Sequence, residues 1–159
     1  MAIEIERKYI VADDSWRSMA TESKHFCQYY LSTDPDRTIR VRIIDDTTAY
    51  ITIKSRNRGI ARGEWEFAIP VDDAISIKHL HVGRVISKRR YIVPFAGHTW
   101  EVDIFEESLS GLALAEIELA TADTSFDIPP FIGREVSQDI RYYNSSLSAG
   151  DSLPPEVVS

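Results

Sequence analysis

The sequence predicts a mainly β fold, closed from about eight antiparallel strands and accompanied by a few short helices. Three observations predict it. Charged and apolar residues alternate with a period of two through most of the chain, the spacing that sends successive side chains to opposite faces of a strand. Turn-forming clusters separate consecutive alternating runs at Asp45-Asp46-Thr47-Thr48, Asn57-Arg58-Gly59 and Ala96-Gly97. Apolar residues at helical spacing are confined to short stretches.

The first run, Ile3-Glu4-Ile5-Glu6-Arg7-Lys8-Tyr9-Ile10, sets the pattern, because Glu4, Glu6 and Lys8 share one face of a strand over about 2–10. Similar runs predict strands at about 26–32, 37–45, 48–55, 62–69, 84–94, 98–106 and 113–120, joined as an antiparallel meander. All but the run at 26–32 carry a charged or polar doublet: Arg40 and Arg42, Thr52 and Lys54, Glu64 and Glu66 after Arg62, Lys88 and Arg90, Glu101 and Asp103, Glu116 and Glu118. The opposite parity is apolar, with Ile39, Val41 and Ile43, Ile51 and Ile53, Trp65 and Phe67, Trp100, Val102 and Ile104, and Ala115, Ile117 and Leu119. A short helix is expected from Ser15 to about Lys24, a second after Pro70 on Val71, Ile75 and Leu80, and a last one from near Ser137 to before Gly150. Residues 1–150 read as one domain, and 151–159, with Pro154-Pro155, as a frayed tail.

A chain of 159 residues with 43% hydrophobic content can bury a core as a single unit. Its net charge of -7 argues against nucleic acid as the default partner. Cys27 is the only cysteine, which rules out an internal disulfide or a multi-thiolate zinc centre. No apolar run reaches the roughly 20 residues of a membrane helix or the length of a signal segment. The expectation is a cytoplasmic protein without membrane or nucleic-acid partners; a homodimer is a guess resting on apolar residues that the pattern leaves outside.

Two architectures fit the alternation. With the apolar face inside a small barrel, the charged doublets decorate a solvated surface. With the charged face inside, the lumen is a polar tunnel and the apolar face needs a cover of helices. The doublets are nearly pure by sign and favour Arg at 40, 42, 62 and 90, which favours a site over a merely soluble face.

Such a lumen would have two halves. Lys8, Arg40, Arg42, Lys54, Arg62, Lys88 and Arg90 offer guanidinium forks and ammonium charges suited to phosphate oxygens. Glu4, Glu6, Glu64, Glu66, Glu101, Asp103, Glu116 and Glu118 would repel one another without intervening cations, and oxygen-only ligands favour Mg²⁺ or Mn²⁺ over zinc. A polyanion beside carboxylate-held metal is a setting for phosphoryl transfer.

The blocks also resemble a known family, the CYTH domain proteins or triphosphate tunnel metalloenzymes. Glu4-Ile5-Glu6-Arg7-Lys8 is similar to the family's ExExK signature. It is followed in order by Gln28-Tyr29-Tyr30-Leu31, Arg40-Val41-Arg42, Thr52-Ile53-Lys54, Arg62-Gly63-Glu64-Trp65-Glu66, Lys88-Arg89-Arg90-Tyr91, Trp100-Glu101-Val102-Asp103, Ala115-Glu116-Ile117-Glu118 and Glu135 to Asn144. The resemblance implies an eight-stranded antiparallel β-barrel tunnel with a charged lumen, helices outside, and a C-terminal helix carrying Tyr142, Tyr143 and Asn144 as a plug. It implies Glu4, Glu6, Glu116 and Glu118 as leading metal ligands, with Glu64, Glu66 and Asp103 as further ligands or their supports. Lys8, Arg40, Arg42, Lys54, Lys88 and Arg90 would bind phosphate, joined by Arg62 unless it pairs with the acids. Glu4, Glu6, Lys8 and Lys88 are the expected catalytic set.

Since family members differ in substrate, the fold leaves the reaction open. The short chain, and the likeness of Gly83 to Tyr91 to short bacterial tripolyphosphatases, favour Mg²⁺- or Mn²⁺-dependent hydrolysis of tripolyphosphate to pyrophosphate and phosphate. A class IV adenylyl cyclase and a non-catalytic triphosphate sensor are the alternatives.

Other residues carry plainer readings. His25, His79, His81 and His98 fall outside the tunnel blocks, and Cys27 reads as a partly buried structural thiol. Trp65 and Trp100 face outward as packing residues beneath covering helices. Tyr29 and Arg89, which replace a common Gly and Thr of the family, also face outward, and Arg141 is expected to reach phosphate or to pair with Asp139 or Glu135.

Overall fold

The computed structural model describes residues 1–150, so the expected tail lies outside the described residues. Strands β1 (Ala2–Val11), β2 (Glu22–Ser32), β3 (Arg37–Ile44), β4 (Thr48–Ser55), β5 (Ala61–Ile69), β6 (Val82–Phe95), β7 (His98–Phe105) and β8 (Ala113–Glu118) form an antiparallel sheet in the order β5-β4-β3-β2-β6-β7-β8-β1. Pairing of β1 with β5 closes it into an eight-stranded barrel, which leaves those eight strands without a free sheet edge. The meander is interrupted: β1 lies between β5 and β8, and β2 pairs with β6.

The predicted hairpin turns are present. Asp45 (φ 50) and Asp46 (φ 57) turn β3 into β4, and Ala96 (φ 48) with Gly97 (φ 79) turn β6 into β7, the pair of left-handed residues that matches strand twist. Gly59 (φ 64) turns β4 into β5.

Three expectations differ from the structure. The helix from Ser15 to Lys24 is only a 3₁₀ turn over Ser15–Met19, and the chain is already β2 from Glu22. Glu22 to His25 have no strong alternation, yet their backbones pair with β6 from Ile92 to Arg89; tertiary pairing overrides local pattern. The last helix does not begin at Ser137. Ile140–Tyr142 is a 3₁₀ turn whose Arg141 N–H donates to the Asp139 side chain, Tyr143 is extended, and α2 spans Asn144–Ala149. A short ninth strand, β9 (Ile132–Glu135), unexpected after Pro129-Pro130, pairs with the end of β1.

The apolar outer face is covered piecewise. Over β6, β7 and β8, Val93, Trp100, Val102, Ala115 and Ile117 pack with Tyr9 of β1 beneath Trp16, Leu119 and Phe131, so a 3₁₀ turn and the loop after β8 replace the expected helices. Over β2, β3 and β4, Tyr29, Val41, Ile43 and Ala49 pack against Ala74 of α1 (Val71–Ser76), and the Tyr29 hydroxyl donates to the Ala74 carbonyl. Trp100 is fully buried, but Trp65 is 36% and Phe67 55% exposed; the expected helix over Trp65 is absent, because the α1 cluster lies over β2, β3 and β4 and takes in β5 only at Ile69.

Inward positions change chemistry along the barrel. At one end Ile10, Ile86, Phe105 and Leu114 pack with Leu109, Leu112, Val136, Tyr142 and Leu147, an apolar plug to which α2 contributes Leu147. Gly83 (φ 67) lies beside a register shift in the β2–β6 pairing, and a Cβ there would fall 2.5 Å from the Ser148 carbonyl oxygen. Ser148 Oγ in turn donates to the Arg84 carbonyl at 2.9 Å.

Gly83→Ala therefore has to push α2 off the barrel as well as strain its own backbone. Gly97→Ala, in open space at a positive φ, is expected to cost about 1–2 kcal/mol in urea unfolding, and Gly83→Ala clearly more; equal losses would contradict this account of the plug.

Candidate active site

Even positions of β1 and β8, and the matching parity of β3 to β7, place the charged doublets in the lumen, where cross-strand register sets most cations opposite acids or hydroxyls. Lys8 faces Glu116, Arg62 faces Glu4, Lys54 faces Glu64, Arg90 faces Asp103 and Thr52 faces Glu66. Opposite charges on adjacent strands attract where like charges would destabilise the sheet.

The contacts follow. Lys54 Nζ donates to both Glu4 oxygens at 2.9 and 2.8 Å and lies 3.5 Å from Glu64, while Arg62 reaches Glu4 at 3.4 Å. Asp103 receives Lys88 Nζ at 2.7 Å and a bidentate Arg90 fork at 2.7 and 2.9 Å. Arg90 also reaches Glu101 at 3.1 Å and Glu116 at 3.5 Å, and Lys8 lies 3.5 Å from Glu116. The plug touches both lysines: Lys8 Nζ donates to the Tyr142 carbonyl at 3.1 Å and Lys88 Nζ to Asn144 Oδ1 at 3.3 Å.

Two guanidiniums are the exception. Among the described residues no carboxylate lies within ion-pair distance of Arg40 or Arg42. Arg40 Nη2 donates weakly to Thr52 Oγ1 at 3.4 Å and its Nε has no partner. Arg42 Nε donates to Gln28 Oε1 at 2.9 Å and its fork lies 4.4 Å above the Phe26 ring, which also supports Arg90 at 4.9 Å.

Arg40 lines a narrow cavity with Glu4, Glu6, Lys8, Lys54 and Arg62. Through Thr38, Asn57, Tyr143 and Ser145 this cavity adjoins a hollow bounded by Pro35, Arg56 and Ile140. Asn57 Nδ2 donates to the Tyr143 hydroxyl at 3.0 Å across that junction.

Crowding sorts the acids by proton affinity. Burial, then Glu116 and Glu4, push Glu6 up to about 8. Burial also opposes ionisation of Glu4, Glu116 and Asp103, but neighbouring cations overcome it: Lys54 holds Glu4 well below the carboxylate range, Lys8 and Arg90 hold Glu116 at about 2, and Arg90 and Lys88 hold Asp103 lower still. Burial raises Glu64 and Glu101 and pulls the Lys88 ammonium down, against the attraction of Asp103.

Most of the expected site residues thus gather along one lumen, with distinctions that spacing did not reveal: Glu66 is exposed, and among the described residues no three of the acids stand together as a ready metal site. Asp103 sits among cations rather than acids, Glu66 accepts from Thr52 at 3.1 Å, and Glu118 is exposed although it pairs across from Glu6. Arg141 is held by Asp139 outside the tunnel. His25 contacts Ser87 and Glu106 on the outer face, and Cys27 is half-buried with its thiol pushed up by burial. Gln28 and Phe26 were missed as site residues because neither carries charge. The visible signal was their shared parity with Tyr30 on a strand facing Arg42.

A closed antiparallel barrel with an ionic lumen and an apolar plug defines a β-tunnel protein. The CYTH domain pattern matches residues 2–148, and the chain belongs to that family. It is 44% identical over 148 residues to an inorganic triphosphatase of Acetivibrio thermocellus, covering 92% of this chain and 94% of the relative. An inorganic triphosphatase of Nitrosomonas europaea is 35% identical over 149 residues, covering 91% and 96%. The crystal structure of an inorganic triphosphatase superposes with a TM-score of 0.68 at 32% identity, covering 96% of this chain and 98% of that one.

The proton held by Glu6 gives a signed pH dependence. A folded-state value raised above the ordinary 4.5 stabilises fully below that pH and is lost as pH rises toward 8. Between pH 5 and 7, metal-free wild-type protein is expected to lose stability by on the order of 1 kcal/mol per pH unit, and Glu6→Gln to lose less; parallel denaturation profiles would contradict the assignment.

Proposed function

We propose that this protein hydrolyses inorganic tripolyphosphate to pyrophosphate and phosphate within the tunnel, as a hydrolase of phosphoric anhydrides dependent on Mg²⁺ or Mn²⁺. The observation that carries the reading is the pair Arg40 and Arg42, inward-facing charges with no counter-ion in a lumen where the other cations have one. An uncompensated charge in such a place is costly unless a ligand anion completes it. Lys8, Lys54 and Arg62 line the same cavity as Arg40, and the activity named for the two relatives points the same way.

In this reading Arg40, Arg42, Arg62, Lys54, Lys8, Lys88 and Arg90 bind the phosphate chain. Asp103, clasped between Lys88 and Arg90, orients both for that task. Glu4, Glu6, Glu116 and Glu118 would supply hard oxygen donors to a divalent cation, and the high proton affinity of Glu6 between Glu116 and Glu4 marks a place short of positive charge; among the described residues no three acids stand ready as a metal site, so the ion pairs of Glu4 and Glu116 would open to form one. Glu64 and Glu66 stand beside them. A bound Mg²⁺ or Mn²⁺ supplies charge that polarises phosphoryl oxygens and eases deprotonation of water.

The chain's own groups supply alignment and charge. Arginine forks fix the phosphate chain by two-point contacts, so that the terminal phosphorus is presented in one orientation to an attacking water. The water oxygen bonds to that phosphorus as the bridging P–O bond breaks. The electron pair leaves on pyrophosphate, whose growing charge Arg40, Arg42 and Lys54 neutralise. At the far end Asp103 opposes the loss of the Lys88 proton that burial favours, and the Asn144 amide oxygen of the plug keeps the ammonium aimed.

The test is product analysis with tripolyphosphate and ATP, with Mg²⁺, Mn²⁺ or chelator. The expected result is metal-dependent phosphate release from tripolyphosphate, reduced at least about 100-fold in Glu6→Gln, the loss produced by removing a group that stabilises transition-state charge. Cyclic AMP and pyrophosphate from ATP would instead establish a cyclase, and stabilisation by tripolyphosphate without turnover a sensor.

Arg42→Met is expected to raise the melting temperature of the empty protein, because it removes an unpaired charge, while abolishing the stabilisation given by tripolyphosphate. A fall in the first with no change in the second would contradict the role.

A further inference from the structure

We infer that Gln28 is a direct phosphate-binding residue of the tunnel, an uncharged donor that presents its amide N–H groups to the same phosphate group as Arg42. The inference rests on the tripolyphosphate reading and adds to it a residue from β2, the barrel strand that contributed none of the expected site residues.

Gln28 is fully buried and faces Arg42 across the β2–β3 ladder. Its orientation follows from chemistry. Arg42 Nε can only donate, so the atom 2.9 Å away must be the carbonyl oxygen of the amide. The amide nitrogen therefore points elsewhere, and it has no acceptor. A buried amide left without acceptors costs free energy comparable to a lost hydrogen bond or more.

The neighbours share the deficit. Arg40, beside Tyr30 of the same β2 face, has a buried Nε without an acceptor, and no carboxylate pairs with the forks of Arg40 and Arg42. Other orphaned polar atoms among the described residues are Trp16 Nε1, Trp100 Nε1, His81 Nδ1 and Tyr142 Oη. The two tryptophans and Tyr142 belong to apolar clusters, at the outer cover and in the plug. Within the lumen the unsatisfied atoms among the described residues lie on the β2–β3 face, at Gln28 and Arg40, and both are donors. A ligand with several acceptor oxygens satisfies them together, and a phosphate group has that chemistry.

Phe26 explains how the seat keeps its shape. Its ring, 5% exposed, stacks against the forks of both Arg42 and Arg90, which holds the cations without neutralising them. A carboxylate in place of either residue would occupy Arg42 and compete with substrate.

The test uses Gln28→Met, which removes acceptor and donors at constant length, and Gln28→Glu, which keeps an acceptor for Arg42 and removes the donors. Melting temperature without ligand, and kcat and KM for tripolyphosphate with Mg²⁺, are measured for both beside wild type. Both variants are expected to keep the wild-type melting temperature within a few degrees and to raise KM about 10- to 100-fold, with the smaller change in kcat. Wild-type KM in both overturns the inference. So does a raised KM in Gln28→Met alone, which would assign Gln28 only to support of Arg42, or in Gln28→Glu alone, which would reflect added charge. If Gln28→Met does not fold, Gln28→Leu, which also removes acceptor and donors without adding charge, takes its place beside Gln28→Glu. Absence of turnover and of tripolyphosphate stabilisation in wild type would instead sink the underlying reading of the site.

Discussion

A charge carried into the lumen must find a counter-charge there, and much of this structure follows from that constraint. The barrel closes with its ionic face inward, so each inward cation meets an acid, a hydroxyl, an aromatic face or an orphaned place. Register does most of the matching, since Lys8 against Glu116 and Arg90 against Asp103 are fixed by which backbones pair. A one-residue slip in either pairing would turn the charges onto the apolar cover and the apolar residues into the tunnel.

Compensation is uneven, and the unevenness is what gives the tunnel direction. Toward the plug, Asp103 neutralises two cations and Phe105 and Ile86 begin an apolar wall. On β3, Arg40 and Arg42 are left uncompensated, while Glu6, crowded by Glu4 and Glu116, keeps a proton instead of a charge. One region thus lacks an anion and another lacks a cation. A phosphate chain accompanied by a divalent metal ion supplies both, and no strand need move far, because the ion pairs that would rearrange are made by side chains.

Much of this was legible in the residues. The parity of Glu4, Glu6 and Lys8, repeated along the chain, carries the barrel and its charged face, because period two has only one structural meaning over so many runs. Paired turn residues such as Asp45-Asp46 carried the hairpins. What parity could not show was which neighbour each charge would find. Asp103 looks like Glu101 in sequence, yet register places it between Lys88 and Arg90. Glu22 to His25 were hidden because their strand identity comes from β6, and β9 because it is short and borrows its pairing from β1. Trp65 looked like Trp100, but the cover over the barrel is assembled piecewise, and it leaves Trp65 and Phe67 exposed.

The central claim is that Arg40 and Arg42 are completed by phosphate. A crystal structure with a hydrolysis-resistant imidotriphosphate and Mg²⁺ tests it most directly. The account predicts phosphoryl oxygens within hydrogen-bond distance of both guanidiniums and of the Gln28 amide, with Asp103 still clasped by Lys88 and Arg90. A triphosphate bound elsewhere, with Arg40 and Arg42 turned to carboxylates or to solvent, would contradict it.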